Sequence, residues 1–112
     1  MKIVNFAEKN SELNRFVAEI RDIHIQQDRL RFRKNLERIG EVMSYEISKD
    51  FRYSEKLVTT PLGTARVNTA DDKIVIGTIL RAGIPYHQGF LNYFDRAENA
   101  FVSAYRKYKD KL

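Results

Sequence analysis

The 112 residues carry 20 Lys or Arg against 15 Asp or Glu, a formal net charge of +5, with 43% hydrophobic residues and no cysteine. Such a chain forms one domain at most, with a modest core, and without cysteine it holds neither disulfides nor thiolate metal sites. No apolar run approaches the roughly 20 residues of a membrane span. The N-terminal MKIVNFAEKN lacks the hydrophobic core of a secretory signal, so a soluble, cytoplasmic protein is the expectation.

In chain order, Asn10 and Ser11 are both able to cap a helix in which Leu13, Phe16, Val17 and Ile20 keep helical spacing, ending near Arg21. From about Asp28 to Asp50, Phe32, Leu36, Ile39, Met43 and Ile47 draw one apolar stripe along a longer helix. Arg31, Arg33, Lys34, Glu37, Arg38 and Glu41 lie mostly off that stripe. Gly40 weakens the middle of this helix by roughly 1 kcal/mol relative to Ala, which predicts a close packing contact there.

The period then changes. Leu57–Thr60 and Thr64–Val67 are β-prone runs around Pro61-Leu62-Gly63, where Pro presets φ and Gly accepts positive φ, so a hairpin is predicted. Lys73–Leu80, KIVIGTIL, is almost continuously apolar and β-branched, the pattern of a strand buried on both faces of a parallel sheet. Gly83 and Pro85 open a helix that carries Phe90, Leu91 and Phe94, and Ala100–Tyr105 predicts a second buried strand.

Strand, helix and strand make a βαβ unit with an expected right-handed crossover. The predicted fold class is α/β, in one domain: a helical region over 1–52, a β-hairpin arm over 53–70 and the βαβ unit over 71–112. Two parallel strands and one hairpin are few for a finished parallel sheet. The domain is therefore expected to be incomplete, its sheet finished by a partner or by further chain.

In open α/β sheets, ligands bind beyond the carboxyl ends of the strands, where loop amides and helix N-termini face outward. Arg81, Ala82 and Gly83 occupy that place after the first strand and Arg106 after the second. Two permanently charged guanidinium forks on one edge suit phosphate oxygens; the alternative is a pair of ordinary surface arginines. His24 and His87 are far apart and have no ligand-like neighbours, so no metal site is predicted; His87 falls in the first turns after the loop, where it is expected on the helix surface, the alternative being that it lines the site. Tyr86, Tyr93 and Phe94 keep helical spacing, as core or interface residues do.

ILRAG after a buried strand, GFL in the following helix (Gly89 to Leu91) and Tyr105-Arg106 after the next strand together resemble the uracil phosphoribosyltransferase family, of the type I phosphoribosyltransferase fold. RFR (Arg31 to Arg33) and YE (Tyr45, Glu46) are similar to that family's N-terminal helix, and the hairpin to its β-arm. The resemblance implies transfer of phosphoribosyl from phosphoribosyl diphosphate to uracil, giving UMP and diphosphate in pyrimidine salvage, with Mg²⁺. It implies that Arg81, Ala82, Gly83 and Arg106 contact phosphoribosyl diphosphate, and that the protein is a homo-oligomer, a dimer or tetramer.

One departure is large. The family's acidic residues followed by a Thr-Gly phosphate loop have no counterpart here: Asp71-Asp72 precede KIVIGT instead of following a buried strand, and look like a solvated turn. The base-reading segment is likewise missing, so the chain resembles the N-terminal half of the enzyme and is expected to be inactive alone. The competing readings are a non-catalytic dimerisation fragment and a nucleic-acid-binding module. The second rests on Arg29, Arg31, Arg33, Lys34 and Arg38, although Asp28, Glu37 and Glu41 interleave with them.

Overall fold

The computed structural model describes residues 1–107, so the last five residues of the basic tail, 108–112, lie outside the described residues. Its elements are α1 (Leu13–Arg21), α2 (Arg29–Ser48), β1 (Tyr53–Thr60), β2 (Gly63–Ala70), β3 (Val75–Leu80), α3 (Ile84–Tyr93) and β4 (Glu98–Ser103). Single 3₁₀ turns at Phe6–Glu8 and Ile25–Gln27 precede the two N-terminal helices.

Local chemistry sets these boundaries. The Ser11 hydroxyl accepts from the Leu13 amide at 3.3 Å, and Asp28 caps α2 by accepting from the Arg31 amide at 3.1 Å. Each satisfies an amide that has no partner inside its own helix. β1 and β2 form an antiparallel ribbon paired from Tyr53 with Ala70 to Thr60 with Gly63. At its tip Gly63 has φ +133°, which a side chain would oppose, and the Thr60 hydroxyl donates to the Gly63 carbonyl at 2.7 Å. β3 and β4 run parallel, from Val75 beside Glu98 to Leu80 beside Ser103, with α3 as the crossover. The α/β class expected from the sequence is the one that forms.

Gly40 does mark a close contact. A Cβ at Gly40 would stand 2.5 Å from the Tyr86 carbonyl oxygen, and one at Gly89 would overlap the Glu37 carbonyl oxygen. Helices α2 and α3 thus cross backbone to backbone, one glycine from each. This crossing also corrects the predicted stripe on α2. Its buried residues are Asn35, Ile39, Gly40 and Ser44, while Phe32, Leu36 and Met43 are half-buried and Ile47 is exposed. The face turned inward is the one that lets α3 approach, which hydrophobic spacing alone does not identify.

Leu13, Ile39 and Ile76 are the buried apolar side chains among the described residues, joined by four polar ones: Asn35, Ser44, Thr78 and His87. β3 is covered on one face only: Ile76 and Thr78 are buried under α3, whereas Val75 and Ile79 are 62% and 63% exposed. Every residue of β4 is exposed. The expectation of strands buried on both faces is thereby corrected, because a β-branched run shows what a strand is suited to pack against, not what lies over it.

The accessible surface of 9808 Å² exceeds the about 6,400 Å² expected of a compact monomer of this mass. The radius of gyration, 18.6 Å, likewise exceeds the about 13 Å of a compact chain of this length. The hairpin arm and the open sheet face carry exposed apolar side chains, with Leu57, Leu62, Ile79 and Val102 all more than half exposed.

Gly89→Ala places a methyl against the α2 backbone and should destabilise the fold by roughly 1–3 kcal/mol, the usual range for overpacking. Urea unfolding followed by circular dichroism checks this, and an unchanged midpoint would show that the helices do not meet at Gly89.

Candidate functional site

Residues Arg81 to Gly83 form the turn between β3 and α3, at the carboxyl edge of the parallel sheet. The chain reverses tightly here: the Gly83 amide donates to the Ile79 carbonyl at 3.2 Å and the Ile84 amide to the Arg81 carbonyl at 3.1 Å. The Leu80–Arg81 peptide bond is cis. A Cβ at Gly83 would lie 2.9 Å from both the Ile79 carbonyl oxygen and the Thr78 methyl, so the loop closes over β3 at a distance that only glycine permits.

The turn opens onto a cleft of about 560 Å³ lined by Leu80, Arg81, Ala82, Gly83, Tyr86 and Ala104, among others. Arg81 and Ala82 are exposed to it, and among the described residues Arg81 has no carboxylate partner. The Ala82 amide donates to no group among the described residues. Helix α3 begins immediately beyond, with Pro85 in its first turn, and directs the positive end of its dipole at the same cleft. A guanidinium, a loop with an unpaired amide and a helix N-terminus at one opening make an environment for an anion with several oxygens.

Arg106 stands on the same edge of the sheet, three residues beyond the end of β4, and is exposed. It does not line the cleft, which Ala104 enters from that side. The structure therefore brings Arg81, Ala82 and Gly83 together and leaves Arg106 apart from them on the shared edge. Tyr86 connects the cleft to the helix crossing: its hydroxyl donates to Met43 Sδ, and burial raises its pKa above the ordinary phenol value. It remains a neutral wall of the cleft at physiological pH.

His87 overturns the expectation of a surface histidine. It is 5% exposed and points between α3 and the sheet, its ring nitrogens hydrogen-bonded to Thr78 Oγ1 on β3 and, at 2.7 Å, to Asn99 Oδ1 on β4. Nothing in the spacing signalled this, because Thr78 and Asn99 come near His87 only once the βαβ unit has closed. Asp71 and Asp72 lie at the opposite end of β3, at the base of the hairpin. There Asp71 pairs with Lys56, and Asp72 accepts from the Arg52 amide at 3.2 Å.

No carboxylate lines the cleft, and among the described residues no group of three or more His, Asp or Glu side chains could hold a metal ion. The side chains present at the cleft do not form a Mg²⁺ site. On α2 the basic residues are largely committed to neighbours. Arg31 meets Glu19 at 3.2 Å, Lys34 meets Glu37 at 3.6 Å, and Arg38 donates to Asn35 at 2.9 Å while lying over the Phe16 ring. Two of its five basic residues, Arg31 and Lys34, are thus paired with carboxylates, which weakens that helix face as an electrostatic footprint for nucleic acid. No helix among the described residues is long and apolar enough to cross a membrane.

Residues 7–111 match the family model described as uracil phosphoribosyltransferase. The chain is 62% identical over 112 residues to the uracil phosphoribosyltransferase of Porphyromonas gingivalis, covering all of this chain and 52% of that protein. It is 37% identical over 92 residues to the enzyme of the same name from Pyrococcus furiosus, covering 80% of this chain and 39% of the relative. A solved structure, that of the AQ2163 protein from Aquifex aeolicus, is similar with a TM-score of 0.68 and 32% identity, over 83% of this chain and 45% of that one. The chain thus spans about half the length, or less, of the relatives it matches.

Gly83→Ala would push a methyl into the Ile79 carbonyl and the Thr78 methyl and should cost roughly 1–3 kcal/mol. Gly77→Ala, where a Cβ meets nothing within 4 Å, is the control. Equal unfolding midpoints for the two variants would show that the loop does not close on β3 as described.

Proposed function

The chain belongs to the uracil phosphoribosyltransferase family, and from that premise we propose that it forms the diphosphate-binding part of an enzyme making UMP and diphosphate from uracil and phosphoribosyl diphosphate. The observation that carries this reading is the turn Arg81-Ala82-Gly83, which presents a guanidinium, an amide and the start of α3 to one cleft.

In this reaction the bond from ribose C1′ to the diphosphate oxygen breaks and a bond from C1′ to a uracil ring nitrogen forms, with loss of that nitrogen's proton. The diphosphate leaves with the electron pair, so negative charge grows on it as the bond lengthens. Arg81, not neutralised by a carboxylate among the described residues, offsets that charge more in the transition state than in the bound substrate. Arg106, on the same edge, is assigned a second contact to the same substrate. Mg²⁺ is assigned to the substrate as a counter-ion of its diphosphate, in keeping with a cleft that has no carboxylates. The reading carries with it a cytoplasmic salvage enzyme working as a dimer or tetramer.

A second reading, a non-catalytic interaction piece, is favoured by one observation. Leu57 at 69% and Leu62 at 101% exposure leave the arm apolar and uncovered, which suits a protein partner. Protein expressed from the encoding gene distinguishes the two. UMP formation supports the enzyme, and self-association without any turnover supports the interaction piece.

If the first reading holds, Arg81→Ala should weaken phosphoribosyl diphosphate about 10- to 100-fold, as loss of a charged hydrogen bond does, and leave the KM for uracil within about twofold. Steady-state kinetics with each substrate varied in turn checks this. Equal effects on both substrates would remove Arg81 from the role given to it.

A further inference from the structure

We propose that His87 is a positioning residue for the Arg81–Gly83 turn, acting through Thr78; the inference rests on the reading of that turn as a diphosphate site. The imidazole joins three elements at one point. It sits on the first turns of α3, bonds Thr78 Oγ1 on β3 and bonds Asn99 Oδ1 on β4 at 2.7 Å. The Phe101 ring of β4 packs beside it with centroids 5.1 Å apart, and its own backbone amide donates to the Gly83 carbonyl at 2.8 Å.

The chemistry of the three side chains is complementary. Asn99 Oδ1 accepts only, so in the neutral ring Nε2 donates to it and Nδ1 accepts from the Thr78 hydroxyl. Neutral histidine is fully satisfied in that arrangement, with one donor and one acceptor both used at 5% exposure. The hydrogen bond ties the Thr78 side chain to His87, and the methyl of that threonine faces Gly83, 2.9 Å from where a Cβ on Gly83 would stand. Histidine thereby sets the height of Gly83 above the sheet, and with it the direction of the Ala82 amide and of Arg81.

Seating α3 does not by itself require this cluster. The far half of the helix is already held by the Gly89 crossing and by Phe94 against Phe51, ring centroids 5.5 Å apart. His87 acts at the loop end, where among the described residues neither the Arg81 side chain nor the Ala82 amide makes a hydrogen bond that would hold the turn from outside.

The test uses Thr78→Val, which keeps the shape and removes the hydroxyl, and His87→Leu, in protein expressed from the encoding gene. Phosphoribosyl diphosphate affinity by calorimetry, the KM for uracil, the thermal midpoint and amide hydrogen exchange are measured for each. A positioning role requires Thr78→Val to weaken phosphoribosyl diphosphate about ten- to a hundredfold, as small misplacements of a binding group do, with the KM for uracil unchanged. It also requires the Gly83 and Ile84 amides to exchange faster while the Phe94 amide, at the far end of α3, does not. A shifted thermal midpoint with affinity within twofold of the parent, or exchange that rises equally along α3, would reduce His87 to a packing residue and overturn the proposal. If the parent protein binds no phosphoribosyl diphosphate, the function proposed above fails, and the exchange pattern alone decides whether His87 holds the turn. Should His87→Leu not fold, Thr78→Val still returns every one of these readouts.

Discussion

The close crossing of α2 and α3 is the contact on which the remaining geometry depends. With Gly40 and Gly89 at the point of approach, the two backbones come nearer than any side chain would permit, and the Tyr86 carbonyl and the Glu37 carbonyl take the space that Cβ atoms would have used. Lying that low, α3 presents Tyr86 toward Met43 and His87 toward the sheet. The turn that precedes α3 is then bounded from below by β3 and from behind by the helix. A glycine within a helix weakens it by roughly 1 kcal/mol, so the two positions are tolerated for the contact they allow and not for local stability.

The interior is polar to an unusual degree for its size. Asn35 and Ser44 are fully buried, and Thr78 and His87 nearly so, against three apolar side chains buried to the same extent. Each has its partner: Asn35 donates to Glu19 at 3.1 Å and accepts from Arg38, and Ser44 donates to the Gly40 carbonyl at 2.8 Å. Satisfied buried polar groups add little net energy, but they admit few alternative arrangements, since any slip leaves donors and acceptors unpaired. They orient α1 on α2 and α3 on the sheet, while the driving force for burial comes from the half-buried rings and aliphatic chains around them.

The open sheet face and the projecting arm belong to the same pattern. β3 keeps Ile76 and Thr78 under α3 and turns Val75 and Ile79 outward, while β4 lies wholly exposed beside it. Apolar strand faces of this kind ordinarily have helices over both sides. Here they are surfaces suited to cover.

Much of this was legible in the residues. Helical spacing and caps located α1 and α2, the Pro-Leu-Gly turn located the hairpin, and the run KIVIGTIL followed by Gly83 and Pro85 located the strand, the turn and the helix start, because each depends on neighbours in the chain. The placement of Arg81 beyond a strand end followed from the same local logic. The face that α2 turns inward, the single covered side of β3 and the burial of His87 were not legible, and each has the same cause. Asn35 is buried because α1 brings Glu19 to it, and His87 because closure of the βαβ unit brings Thr78 and Asn99 to its two nitrogens. Neighbouring residues thus dictate the elements, their order and the residue at the strand end. Which faces meet is settled by packing, because that depends on how closely backbones far apart in the chain can approach.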